Sequence, residues 1–413
     1  LWVYFAPENA SAALKASQGV HLAAFLPCIC IFRNKILLIN EMSGHPKLTR
    51  KGVGMEKYIR KLVAEKDSIR RVNLSRLYLS KVPEELRDCR QLEEVILAEN
   101  EIKTFPAWLF ALPALKKLNI SFNCNKVIPP ALAKAQKLEK LVISAPADKT
   151  LPEAVLQLPQ LKILHIAGAL SGLPDGLFNL GQLQEIGLFA TELTTLPEGI
   201  TRLPKLKKIY FKQYWFSEQL AHIDTEDVFD KLSRCPALRV LDLMTAAGLI
   251  RPDSEGIGKL TQLRELYLQQ NGLTAIPAGI FKLVNLQTLD LGINHIRSVP
   301  KDIARLTRLK KLCLNSNHTP PLDTRHLWQQ IAVFEQLETL ALWSCQAKMD
   351  IPEEIAVLKK LKSLDVDNNK ITKLPESLAT MVWLQKLRIS TNPLPENEAE
   401  RLQAALPHTK VMG

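Results

Sequence analysis

Residues 263–285 read LRELYLQQNGLTAIPAGIFKLVN. Leu266 and Leu268 alternate with Glu265, Tyr267 and Gln269, the period-two pattern of a short strand with one buried and one open face. Asn271 follows with a short amide that can hold backbone groups as the chain turns out of the strand. Pro277 restricts the return leg, and Ile280 with Leu283 places apolar groups on one side of a short helical or 3₁₀-like segment. A unit of this size cannot bury its own leucines, so it must stack on copies of itself.

The copies are present. Stretches of the form LxxLxL open at 69, 92, 115, 138, 161, 183, 206, 238, 263, 286, 309, 337, 361 and 384, and all 42 of their defining positions are apolar. Most steps are 22 or 23 residues, while the units opening at 206 and 309 run to 32 and 28. Return segments such as LPEGITRL, IPAGIFKL, VPKDIARL and LPESLATM carry proline at a matching place.

This pattern resembles the leucine-rich repeat family, specifically its 23-residue LPxxI class. Similar units occur in Ras-group and Scribble-like intracellular proteins and in bacterial repeat proteins. The resemblance covers residues 69–413 and implies an α/β fold: a right-handed horseshoe solenoid with a parallel sheet on the concave face and short helical or 3₁₀ segments on the convex face. At about 4.8 Å per strand, fourteen strands run roughly 65 Å, enough for a standard protein interface.

Residues 69–395 are therefore expected to form the solenoid, closed by a capping helix at 55–68 and a C-terminal cap at 396–413, since an open stack needs polar-faced ends. Met55, Tyr58, Ile59, Leu62 and Val63 share one face of the first cap. Residues 1–54 join no repeat. Their apolar run at 19–32 is too short to span a bilayer comfortably. The preferred expectation is upstream sequence that is not native, with the start at Met42 or Met55; a membrane anchor or uncleaved export signal is the rival.

With 46% hydrophobic and 23% charged residues the chain is neither a disordered segment nor a polytopic membrane protein. Its seven cysteines are scattered and odd in number, which fits a reducing, cytoplasmic compartment better than a disulfide framework, with export as an effector as the alternative. No phosphate-cradling loop, nucleophile elbow or metalloprotease signature occurs. His318, His326 and Cys345 lack metal-ligand spacing. The expectation is a non-enzymatic chain without cofactor or metal.

Function is sought in the irregularities. The asparagine place is occupied at 100, 123, 271, 294, 317, 369 and 392, but by Pro146, Ala169, Thr191, Tyr214 and Ala246 between them. Two readings stand: drift, or a local change of curvature near a ligand. In both long units an acid-bearing start before apolar residues at helical spacing suggests an outer helix, with Thr225 and Thr324 as candidate N-caps.

Exposed strand places near the middle are occupied by His165, Phe189, Tyr210, Lys212, Asp242, Met244, Tyr267 and Gln269, with Trp343 further along. Trp215, between Tyr214 and Phe216, falls just after a strand. Aromatic and Met side chains here either pack laterally across strands or serve as binding anchors. The second and third places of the units hold fourteen basic residues, Lys207 and Lys208 among them, against six acidic ones, so +8 of the net +12 lies along one edge of the sheet. That edge is a solvated rim or the seat of an acidic protein partner. Separated charges and aromatics argue against nucleic acid.

The function these features imply is a monomeric, non-catalytic scaffold binding a protein on its concave face. The alternative is a secreted or surface-attached bacterial protein binding host protein or glycan.

Overall fold

The computed structural model describes residues 64–125, 127–212, 224–246, 248–324 and 326–413. Residues 1–54 and most of the expected N-terminal cap, 55–63, lie outside the described residues.

The strands are β1 (Arg71–Asn73), β2 (Glu94–Ile96), β3 (Lys117–Asn119), β4 (Lys140–Ser144) and β5 (Ile163–Ala167). They continue as β6 (Glu185–Phe189), β7 (Lys208–Lys212), β8 (Val240–Asp242), β9 (Glu265–Tyr267) and β10 (Thr288–Asp290). The last are β11 (Lys311–Cys313), β12 (Thr339–Ala341), β13 (Ser363–Asp365), β14 (Lys386–Arg388) and β15 (Lys410–Met412). All join one open parallel sheet in sequence order. Fourteen come from the repeats, and the C-terminal segment adds the fifteenth behind the helix Glu398–Ala405.

The order follows from the repeat. Each unit presents the same apolar row, and only stacking in register removes every row from water; Leu266, Leu268, Leu289, Leu291, Leu312 and Leu314 are all fully buried. Burying each leucine is worth about 1.5–3 kcal/mol. The return legs form short 3₁₀ turns, most opening directly after proline, as at Ala278–Lys282 behind Pro277 (φ −56°). Proline costs nothing there, because the first turn needs no amide donor.

The exit from the strand is held by the asparagines. Asn294 Nδ2 donates to the carbonyls of Leu291 in its own unit and Leu268 in the preceding one, at 3.0 and 2.9 Å. Its Oδ1 accepts from the amides of Asn271 and Leu273 at 2.9 and 3.1 Å. The residue just before each asparagine adopts a left-handed conformation, as Gln270 does with φ 62° and Ile293 with φ 54°.

Where the asparagines fail, the sheet changes. β4 to β7 pair over five residues rather than three. Among the described residues of this stretch no amide side chain captures the carbonyls at the strand exit, and the ladder continues through Ala145 N to Ala167 O and Gly168 N to Phe189 O, at 2.7 and 2.8 Å. The broken asparagine ladder is thus accompanied by a local lengthening of the strands.

Both long units carry outer helices, Thr225–Ser233 and Leu327–Ile331. Their caps differ from the expected ones. Asp224, not Thr225, caps the first helix, its carboxylate accepting from Asp227 N at 3.0 Å. Thr324 is buried and donates to Lys348 O at 3.3 Å instead of capping the second. In each case the helix begins where burial of its apolar face dictates, which shifted the cap relative to the threonine. The first helix ties neighbouring units together: Thr195 Oγ1 donates to Asp227 at 2.6 Å, and Gly256 N to Glu226 at 3.0 Å.

Candidate functional site

Strand alternation places three columns of side chains on the concave face. The central column runs in register from His165 through Gly187, Tyr210, Asp242 and Tyr267 to Asp290 and Cys313. Beside it Ala167, Phe189 and Lys212 are aligned.

Five of the named side chains, His165, Phe189, Tyr210, Lys212 and Asp242, form one connected cluster on β5 to β8. The His165 ring meets Phe189 and Tyr210 edge-on, with centroids 5.5 and 5.8 Å apart. Contact with Tyr210 is possible because Gly187 stands between them: a Cβ there would come within 2.6 Å of the Phe189 ring and 2.7 Å of His165 Cδ2. Lys212 Nζ pairs with Asp242 Oδ2 at 2.8 Å and lies 5.7 Å from the centre of the Tyr210 ring. Tyr267 donates its hydroxyl to Glu265 Oε2 at 2.8 Å. Met244, Gln269 and Trp343 follow their strands at the next place; all three are half-buried, and Trp343 stands apart from the cluster, beyond β12. Trp215 lies outside the described residues.

His165, Phe189 and Tyr210 therefore pack laterally and still present surface, since all three are half-buried, as is Tyr267. Edge-to-face pairs of this kind add about 0.5–1.5 kcal/mol beyond area burial, so the rings are held rigid before any partner arrives.

Electrostatics divide this face. Glu185, absent from the residues singled out in the sequence, accepts from His165 Nε2 at 2.7 Å, and that bond holds its carboxyl below the usual range. Burial, then the neighbouring Glu185, Asp242 and Glu265 charges, pushes the Tyr210 phenol up to about 12. Tyr267 is raised too, by burial and by its bond to Glu265. Both phenols remain neutral donors at physiological pH. Burial raises the Asp290 carboxyl and carries the adjacent Cys313 thiol up to about 12. The same central column brings Asp242, Asp290 and Asp365 into one line.

The basic edge is more broken than its sequence count suggests. Glu93 takes both Arg70 and Lys116, at 3.0 and 3.1 Å. Arg71 pairs with Glu94 at 3.3 Å, Lys162 with Glu139 at 2.9 Å, and Lys362 with Glu338 at 2.5 Å. Five of the fourteen cations are thereby paired with four carboxylates within the stripe. Lys207 and Lys208 are not among them; among the described residues Lys207 Nζ reaches only the Gln184 amide oxygen, at 3.5 Å.

No cluster of metal-ligating side chains occurs among the described residues. Nor is any described helix long and apolar enough to cross a membrane.

Stacked parallel strands, proline-led turns and asparagine bridges define a class of protein that the family models also identify. A model described as a leucine-rich repeat region matches residues 220–350, and one described as a leucine-rich repeat matches 360–381. The matched residues are leucine-rich repeats, and the stacked sheet they belong to has the fold of a leucine-rich repeat solenoid. Among solved structures the chain is similar to a leucine-rich repeat protein of Leptospira interrogans, at 24% identity over 86% of this chain and 98% of that one, TM-score 0.48. It is also similar to an internalin of Listeria monocytogenes, at 18% identity over 86% and 93% of the two chains, TM-score 0.45. A plant peptide hormone receptor in complex with RGF2 aligns at 23% identity over 79% of this chain and 52% of that one, TM-score 0.44. No curated protein matches the chain. The leucine-rich repeat fold is commonly a scaffold for protein interaction.

Proposed function

We propose that the protein is a non-catalytic recognition scaffold whose protein partner docks on the concave face, centred on β5 to β9. The observation that carries this reading is the cluster of His165, Phe189 and Tyr210, half-buried and packed across β5 to β7 where pairing is longest, with half-buried Tyr267 further along the same column. Rigid aromatics with open edges bind at low entropic cost, because their rotamers are already selected. Lys212 and Asp242 flank them as a mutually satisfied pair, which can orient a polar group of the partner without leaving a charge uncompensated.

Trp343 supplies a second anchor further along the same face. In affinity capture from the organism that makes the protein, the wild type retains a specific partner. The variant Tyr210→Ala/Tyr267→Ala/Trp343→Ala, folded by circular dichroism, loses it. Undiminished retention by that variant overturns the concave-face assignment.

A further inference from the structure

The stripe of cations is not uniform along the sheet. At its N-terminal end the glutamates of β2 and the start of β4 answer it, as Arg70, Arg71, Lys116 and Lys162 are each paired. From the start of β7 to β11 the same two places hold Lys207, Lys208, Arg239, Arg264, Lys310 and Lys311, with Glu265 as their single carboxylate. Glu265 is occupied by the Tyr267 hydroxyl, and none of the six cations has an ion-pair partner among the described residues. Arg239 also donates to the carbonyls of Pro236 and Leu238, both at 2.8 Å, which holds its guanidinium against the strand start. Lys207, Arg264 and Lys310 are exposed, and the other three are half-buried.

These residues border the aromatic side chains, because Lys208 opens the strand that carries Tyr210 and Arg264 immediately precedes the strand that carries Tyr267. Four strand-to-strand steps separate β7 from β11, about 19 Å at 4.8 Å each, and an extended peptide covers that length with about six residues.

We propose that this stretch, from Lys207 to Lys311, binds an extended acidic segment of about six residues belonging to the partner, laid across the strand starts. The proposal rests on the concave-face reading and deepens it by naming the chemistry of one part of the partner. Charge complementarity argues for it: six cations share one carboxylate, Glu265, for five net positive charges, and none of the six is ion-paired among the described residues, whereas five of the eight other cations of the stripe are paired. Such a row favours carboxylates spaced along a flexible strand, and its attraction is short in range, since charges beyond about 8 Å are screened at physiological salt.

The probe is fluorescein-labelled hexaglutamate, titrated by anisotropy against the full chain at 150 mM salt. Lys207→Glu/Lys208→Glu and Lys310→Glu/Lys311→Glu are each expected to weaken binding at least ten-fold. Lys117→Glu/Lys140→Glu, also unpaired cations but outside the stretch, should change it by less than two-fold. Equal weakening by all three pairs, or by none, overturns the proposal. Tighter binding of an oligothymidylate with six phosphates overturns it as well and assigns the stretch to nucleic acid. Loss of the captured partner by the aromatic triple variant, alongside hexaglutamate binding indifferent to every lysine reversal, would leave the recognition reading standing and remove only the acidic segment.

Discussion

Nε2 of His165 lies 2.7 Å from Oε1 of Glu185, a diagonal neighbour on the next strand, while the same imidazole meets the Tyr210 ring two strands away. One side chain thus joins β5, β6 and β7. It ties the charged third place of the repeat to the aromatic fifth place.

The bond to His165 is the largest cause of the low Glu185 pKa, which gives a signed prediction. A carboxyl whose folded pKa is depressed contributes stability above its unfolded value, near 4.3, and loses that contribution as pH falls through the folded value. Glu185→Gln should therefore cost about 1–3 kcal/mol at pH 7 and less at pH 3, where the contribution is falling away. Urea midpoints at the two pH values measure the gap. A gap of constant size would contradict the assignment.

Gly187 is required by the same arrangement. In Gly187→Ala the new methyl must displace the Phe189 ring or His165, with an expected loss of about 1–3 kcal/mol from overpacking. The double variant Gly187→Ala/Phe189→Ala should recover part of that loss, because truncation of the ring makes room. A thermodynamic cycle over the four proteins reads the coupling; additive losses would show that the ring is not what the methyl meets.

Among the asparagines, position along the solenoid sets the cost of removal. Asn294→Ala strips hydrogen bonds from fully buried backbone groups on both sides, so a loss of about 2–3 kcal/mol is expected. Asn392 makes equivalent bonds that are only part-buried, near the end of the stack. Its alanine variant should lose roughly half as much, as measured by denaturant unfolding. The reverse order would show that the bridges do not act through burial.

Thiol reactivity should separate the cysteines. Burial pushes Cys235 up to about 11 and Cys313 and Cys345 up to about 12, whereas Cys124 is exposed. Thiolate is the reactive form. Iodoacetamide at pH 8 should modify Cys124 within minutes and spare the other three until denaturant is added, as read by peptide mass mapping.

The fold was legible because its cause is local and repeated. A leucine row every 22 or 23 residues admits one arrangement that hides all of it, and the strand and return-turn places could be read from a single unit such as 263–285. The helix caps were less legible. Thr225 and Thr324 have the right chemistry, but Asp224 takes the first cap and Thr324 is buried against Lys348, because packing of the helix face sets where each helix begins.

The candidate site divides in the same way. Its residue types could be placed on the concave face by alternation alone, since each unit fixes which side chains point outward. Which of those side chains meet, however, depends on neighbours 20 or more residues apart in sequence. His165 reaches Tyr210 because a glycine intervenes, and Arg70, Arg71, Lys116 and Lys162 are ion-paired while the six edge cations from Lys207 to Lys311 are not, among the described residues, because Glu93, Glu94 and Glu139 come within reach of only the first group. By itself the sequence determined a stack of strands with a charged edge and an aromatic middle, because burial of leucine rows acts within each repeat. Only the tertiary structure decided how those charges cancel and which rings touch, because both are set by lateral register, a relation between repeats that no single repeat contains.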